Sequence, residues 1–303
     1  MRSTAIVTGA SQGIGYELAL YLASRGINVI AVARNEEALK ELQNHYPEFI
    51  YIVPADVSTE QGRKSIVDKA NEFGKIDYLV NNAAIITPLK NLENITQDEL
   101  TAIFNTNLFA VILLSAQLLP LLAGGRLLNV SSAAEFLPTA GAGAYCITKA
   151  ALKMATTLQQ MEYKNVAVNS VIPGEVETNM QVVLRNSDHP LKNLFIESAE
   201  KGALMPASTC AAFLGYLLLK TSSEDFVNNK WQIYDPAHRD KWLTENMSLP
   251  SPNVSAQALT EMPKSPRSST STLNNSFTLL GKSQVQTQSS SQPEENRNTN
   301  SPK

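Results

Sequence analysis

Short apolar runs alternate with longer helical patterns through the first 246 residues, and this alternation constrains the fold more than any other feature. Thr4–Thr8, Asn28–Ala33, Phe49–Val53, Asp77–Val80, Arg126–Val130, Val166–Ile172 and Trp231–Tyr234 read as strands. Between them, Ile14–Arg25, Glu36–His45, Thr59–Phe73, Thr96–Leu122, Gly143–Glu162 and Ala207–Leu219 read as helices. Strands this apolar must be covered on both faces, so the order predicts a parallel α/β sheet with helices on each side.

The pattern stops near residue 246. From Met247 to Lys303 the chain is mostly Ser, Thr, Asn, Gln and Pro, with Phe277 its single aromatic residue. Such a segment buries too little apolar surface to offset its ordering entropy and reads as a disordered tail after one domain, 1–246. Its Ser-Pro dipeptides at Ser251, Ser265 and Ser301 are of a kind this composition produces by chance, and Phe277–Leu280 is its one docking-like stretch. A net charge of −3 argues against an electrostatic nucleic-acid binder. Two cysteines, Cys146 and Cys210, make no disulfide framework, and His45, His189 and His238 are too scattered for a zinc site, so no metal is expected. Met1–Thr4 leads into a run broken by Gly9, which fits no secretory signal. The most apolar stretch, Leu108–Ala123, contains Ser115, Gln117 and Pro120 and is short for a bilayer. These features predict a cytoplasmic protein without a membrane span.

The first strand ends in Thr8-Gly9-Ala10-Ser11-Gln12-Gly13-Ile14-Gly15 and runs into a helix. A glycine turn there lets backbone approach a pyrophosphate, and the helix start offers unpaired N–H groups. The spacing matches neither G-x-G-x-x-G nor a P-loop, so the strand–turn–helix context carries the nucleotide reading. After the second strand, where a ribose-binding carboxylate often stands, come Ala33-Arg34-Asn35. Arg34 offers a charged fork suited to a 2′-phosphate, which favours NADP over NAD; the competing reading is a solvated arginine opening the next helix.

Tyr145 and Lys149 stand four apart at a helix start and share a face. An ammonium there would lower the Tyr pKa from about 10 into range for acid–base work. Alone the pair is common. Upstream, however, Asn129-Val130-Ser131-Ser132 ends a strand 13 residues before Tyr145, and Asn81-Asn82-Ala83-Ala84 and Ile172-Pro173-Gly174 end two others at the same sheet edge.

Together these residues resemble the short-chain dehydrogenase/reductase family in its form of roughly 250 residues, over nearly all of Met1 to Pro236. The resemblance implies a Rossmann-type, doubly wound parallel sheet of about seven strands. It implies that Ser132 holds the substrate oxygen, that Tyr145 exchanges its proton, and that Lys149 lowers the Tyr pKa and binds the nicotinamide ribose. Asn107 would anchor a water of the proton relay, with Asn105 its rival. NADP(H) would be held by Gly9, Ser11, Gly13, Ile14, Gly15, Arg34, Asp56, Val57, Asn82, Ala83, Tyr145, Lys149, Pro173, Gly174, Val176 and Thr178. Of these, Thr178 would orient the carboxamide and Asp56-Val57 would border the adenine, although Asp56 could equally cap a turn.

Three residues depart from the family pattern: Ala84 for a Gly, Thr148 for a Ser, and Glu135 where small residues are usual, which is expected to point to solvent. The short N-terminus, Ala33-Arg34 and Trp231-Gln232-Ile233-Tyr234-Asp235 look most like the benzil and sepiapterin reductase group. By the resemblance, the apolar segment Glu175–Pro206 folds over a small carbonyl or alcohol substrate, although most of its apolar residues are expected simply to pack the local helices, and two copies pair through the two long helices; Arg185 and Lys192, the only cations between Glu175 and Glu200, read as solvated. The expected activity is NADP(H)-dependent carbonyl reduction; the alternative is an NADP-binding scaffold whose tail recruits partners.

Overall fold

A computed structural model describes residues 2–190, 192–244, 247 and 249–250. The expected disordered tail, with its Ser-Pro sites and Phe277–Leu280, lies outside the described residues apart from its first few positions. Of these, Leu249 packs against the core.

Seven strands form one sheet: β1 (Thr4–Thr8), β2 (Asn28–Ala33), β3 (Ile50–Pro54), β4 (Tyr78–Asn81), β5 (Arg126–Val130), β6 (Ala167–Ile172) and β7 (Trp231–Gln232). All neighbours are parallel, in the order β3-β2-β1-β4-β5-β6-β7. The strand order reverses between β1 and β4, which opens a crevice at the carboxyl edge there. Eleven α-helices are described: α1 (Gly13–Ala23), α2 (Glu36–His45), α3 (Glu60–Phe73), α4 (Gln97–Phe104), α5 (Ala110–Leu118), α6 (Gly143–Glu162), α7 (Asn179–Asn186), α8 (Lys192–Glu200), α9 (Ala207–Leu219), α10 (Ser223–Asn228) and α11 (Pro236–Trp242). The expected last strand is shorter than Trp231–Tyr234 because the Asp235 N–H donates to the Gln232 carbonyl and turns the chain.

The two-residue period of the strands divides the core. Ala5 and Val7 face one side of β1 with Val29 and Ala31 of β2, and there they meet Leu18, Leu22, Leu39, Phe213 and Leu217 from α1, α2 and α9. Ile6, Ile30 and Val32 face the other side and meet Ile66, Ala110, Leu114 and Leu118 from α3 and α5. Nearly every strand residue is therefore apolar, which is why the strands were legible.

The helical run Gln97–Leu121 spans 25 residues, and an 18-residue window within it has mean hydropathy 1.7, so by length and composition it could cross a membrane. Its inner stripe, Ala110, Leu114 and Leu118, packs on the sheet.

Arg126, at the start of β5, ties down the end of α9. Its guanidinium donates to the Leu217 carbonyl at 2.7 Å, the Thr221 hydroxyl at 2.9 Å and the Thr221 carbonyl at 2.6 Å. It also lies 5.2 Å from the centre of the Phe226 ring. Carbonyls at a helix end lack intrahelical partners, and a charged donor there is worth about 1.5–3 kcal/mol. Arg126→Leu is expected to lower Tm by roughly 5–10 °C, measured by calorimetry; an unchanged Tm would show that water serves those carbonyls equally well.

Candidate active site

The sequence-predicted residues gather along the carboxyl edge of the sheet. Gly9, Ser11, Gly13, Ile14 and Gly15 form the β1–α1 turn, Arg34 follows β2, Asp56-Val57 follows β3 and Asn82-Ala83 follows β4. Ser132 follows β5, and Pro173, Gly174, Val176 and Thr178 follow β6.

The glycine turn is held from β4. The Thr8 hydroxyl accepts from the N–H groups of Asn82 at 3.0 Å and Ala83 at 3.1 Å, and the Asn82 amide donates to the Thr8 and Gly9 carbonyls at 2.9 and 3.3 Å. A Cβ at Gly15 would overlap the Gly9 carbonyl oxygen and lie 2.6 Å from the Asn82 amide nitrogen, so only glycine lets the turn close. Gly13 has φ of +58°, and a Cβ there would meet the Thr178 methyl at 2.9 Å. The turn and the loop after β6 thus face one another across a gap that glycine alone leaves open. No side chain caps the start of α1 and its first turn has no acidic residue, whereas Asn35 caps α2 and Thr59 caps α3. Free N–H groups and an uncluttered backbone fit the pyrophosphate of a dinucleotide.

Arg34 and Asp56 sit further along the edge. The Arg34 guanidinium is 73% exposed and 4.0 Å from the Asp56 carboxylate. Asp56 is also the turn cap that its sequence allowed, accepting from the Ser58 N–H at 2.9 Å and hydroxyl at 2.7 Å.

The catalytic candidates converge between β5 and α6. Tyr145 and Lys149 are both buried on the inward face of α6. The Ser132 hydroxyl hydrogen-bonds the Tyr145 phenol and accepts from the Ala134 N–H at 3.2 Å. Burial pushes the phenol up to about 12 against that hydrogen bond. Lys149 donates to the Val130 carbonyl at 2.9 Å, with its ammonium 5.6 Å from the centre of the Tyr145 ring. Burial brings the ammonium down to about 8, and the Glu135 carboxylate opposes that fall. Burial sets the phenol, with Ser132 opposing it; Lys149, expected to lower it, is not among the groups that do, and the phenol keeps its proton at neutral pH.

Asn107, rather than Asn105, is the buried asparagine of this region, in the π-helical turn Asn105–Phe109. Its Oδ1 accepts from the Ile85 N–H at 2.9 Å, and its Nδ2 donates to the Ile85 carbonyl at 2.8 Å and the Thr148 hydroxyl at 3.2 Å. These contacts take both amide hydrogens and one Oδ1 lone pair, so the side chain ties the β4 exit to α6 and keeps its second lone pair for a water.

Two other expectations change. Glu135 does not point to solvent: it accepts from the buried Ser131 hydroxyl at 2.6 Å. Arg185 does not stand alone in solvent: at the surface it forms a forked pair with Glu177 at 2.7 and 3.1 Å. Sequence reasoning missed Thr8 and Ser131 as site residues, and noted Thr148 and Glu135 only as departures from the family pattern. Their positions beside recognised motif residues were the one available signal.

The segment after β6 folds as α7 and α8, and its base is fixed by a bridge between Val176 and Met205. Met180, Val183, Leu184 and Phe195 pack in one cluster with Tyr145, Ile86 and Ile103. Leu191 lies outside the described residues. A phenol beneath apolar cover, with a hydroxyl beside it and a lysine behind it, can give a proton to an oxygen in a water-poor pocket.

A family model described as short chain dehydrogenase matches residues 3–189. Among curated relatives, a benzil reductase ((S)-benzoin forming) of Saccharomyces cerevisiae is 30% identical over 257 residues, covering 78% of this chain and 97% of its own. The crystal structure of a short-chain dehydrogenase/reductase from the same yeast is 30% identical, covers 78% of this chain and 98% of its own, and superposes with a TM-score of 0.74. A 3-ketoacyl-(acyl-carrier-protein) reductase from Brucella melitensis, complexed with NADH, is 25% identical, covers 73% of this chain and 92% of its own, and gives a TM-score of 0.64.

Proposed function

The chain belongs to the short-chain dehydrogenase family, oxidoreductases that act on small molecules with nicotinamide cofactors, and from that premise we propose that it is an NADP(H)-dependent carbonyl reductase. The observation that carries this reading is the Ser132–Tyr145–Lys149 group under an apolar cover. Ser132 holds the carbonyl oxygen, and Tyr145 donates its proton to that oxygen as negative charge develops. A phenol that keeps its proton at neutral pH is in the form that reduction requires. Lys149 stands behind Tyr145 and would hold the nicotinamide ribose, and Asn107 fixes the strand exit against α6. When bound, the dinucleotide supplies the hydride. Gly9, Ser11, Gly13, Ile14 and Gly15 would hold its pyrophosphate and Arg34 its 2′-phosphate. Asp56 and Val57 would border its adenine, with Asn82 and Ala83 beneath the ribose. Pro173, Gly174, Val176 and Thr178 would hold its nicotinamide end.

The pocket wall of Ile86, Met180, Leu184 and Phe195 favours an apolar carbonyl compound, and the yeast relative named as a benzil reductase supports a diketone. The test is NADPH oxidation against diketones, quinones, pterins and steroids. Turnover of apolar ketones or diketones is expected; nucleotide binding without turnover of any of them would favour the scaffold reading.

The site chemistry suits the cytoplasm, which holds NADPH. A second copy would cover an apolar stripe. Phe109, Ile112 and Leu113 of the long helical run and Ile147, Met154, Leu158 and Met161 of α6 are exposed on two helices packed through Leu108, Val111 and Leu152. Exposed apolar area of this kind marks an interface. Met154→Glu with Met161→Glu is expected to convert a dimer or tetramer to monomer in light scattering; a wild-type monomer would remove the proposal.

A further inference from the structure

Among the described residues, Glu135 is the carboxylate whose charge acts on Lys149, and the proposed chemistry leaves it without a role. It closes a single 3-10 turn, Ala133–Glu135, which packs between the end of β5 and α6. Its Oε2 accepts from the Ser131 hydroxyl at 2.6 Å, and Ser131 is buried and fixed by its N–H to the Val171 carbonyl at 2.8 Å. Lys149 is tethered one residue earlier on the same strand, at the Val130 carbonyl. The carboxylate and the ammonium are thus anchored on adjacent residues, Ser131 and Val130, where β5 ends, with Ser131 and Lys149 buried.

We propose that Glu135 is the counter-charge of Lys149, a positioning residue whose carboxylate, anchored on Ser131, keeps the buried ammonium charged behind Tyr145. The inference rests on the reading of Tyr145 and Lys149 as the acid–base pair. Glu135 is faced by Lys149 and Lys153 from α6 and by Lys230 from the segment ahead of β7. Lys153 is itself held on the Ser170 hydroxyl at 3.3 Å. Lys149 is faced by Glu135 and by Tyr145 of its own helix.

The electrostatics agree with the geometry. Burial raises Glu135, while the Ser131 hydrogen bond and then Lys153, Lys149 and Lys230 draw it back down. Burial lowers Lys149 to about 8, and Glu135 is the charge that resists. At the pH where Lys149 titrates, well above the carboxylate range, Glu135 is an anion. Removing that anion leaves burial unopposed, so Lys149 loses its proton at a lower pH.

Glu135→Gln keeps the shape and the Ser131 contact but deletes the charge. The direct reading is a pH titration of lysine side-chain signals by NMR on the full chain with no nucleotide added, with the Lys149 signal assigned through Lys149→Arg. The Gln variant is expected to move the Lys149 midpoint down by at least about half a unit, and Glu135→Asp, which keeps the charge, to restore most of it. In steady state the alkaline limb of kcat/KM for NADPH-dependent reduction should move the same way. A Lys149 midpoint unchanged in Glu135→Gln, or one equally displaced in Glu135→Asp, would overturn the proposal and leave Glu135 as a turn residue. Should the Gln variant misfold, Ser131→Ala is read instead: it frees the carboxylate without deleting it, and a smaller downward shift is expected where no shift would refute. Because the NMR reading needs no turnover, a protein without reductase activity that still shows the shift would sink the proposed function and leave the Glu135–Lys149 coupling standing.

Discussion

Tyr145→Phe is expected to lower turnover of a carbonyl substrate by at least about 10²-fold while NADPH affinity stays within a few-fold of the parent. The variant keeps the ring, and the ring carries the packing: Tyr145 lies in one cluster with Ile86, Ile103, Ala144 and Leu184. Only the hydroxyl is lost, and with it the hydrogen bond to Ser132. Neither Ser132 nor Lys149 can substitute as the acid. The serine hydroxyl is a much weaker acid, and the Lys149 ammonium is held on the Val130 carbonyl. Lys149→Ala should differ, weakening both binding and turnover, because that side chain serves the nucleotide and the phenol. The measurements are single-turnover hydride transfer and fluorescence titration of NADPH for each variant. Near-normal turnover by Tyr145→Phe would place the acid elsewhere.

The sheet was legible because burial on both faces leaves a strong apolar signature. β1, β2 and β5 begin and end where the residues Thr4–Thr8, Asn28–Ala33 and Arg126–Val130 suggest, and β3, β4 and β6 shift by one residue. The small helices were not legible, for a different physical reason. α10 has six residues and α11 seven, too few turns for a 3.6-residue period to show. They are set by their caps, Ser222 and Asp235, and by packing of Phe226 and Trp242 into the first core cluster. At the site, residue types were legible where chemistry restricts them: a Tyr with a Lys one turn on, a Ser at a strand end, glycines at a βα turn. Partners were not. That Asn107 is spent on Ile85 and Thr148, that Arg185 meets Glu177 and that Glu135 turns inward to Ser131 all depend on tertiary contacts.

Cofactor choice gives the second large effect. Arg34→Leu is expected to weaken NADPH by roughly 10- to 150-fold and to leave NADH nearly unaffected, because a charge-assisted, forked contact to a phosphate is worth about 1.5–3 kcal/mol. Arg34 is placed for this at the carboxyl end of β2, past the glycine turn, with its guanidinium 73% exposed. Its pairing with Asp56 across 4.0 Å is a surface ion pair, too weak to hold the side chain from a phosphate dianion. The neighbouring Asn35 is committed to capping α2, accepting from the Ala38 N–H at 3.1 Å, so it does not compete for the ligand. Converting the preference outright calls for a carboxylate that accepts the ribose hydroxyls and repels the phosphate. Ala33 is the wrong place for it, being 7% exposed and part of the first core cluster, where an acid would be driven into apolar surroundings. Arg34→Asp puts the charge on the exposed side instead and should weaken NADPH further than Arg34→Leu while holding or improving NADH. The comparison is kcat/KM for both nucleotides in the parent and the two variants. A parent enzyme that already prefers NADH would return Arg34 to an ordinary solvated residue at the start of α2.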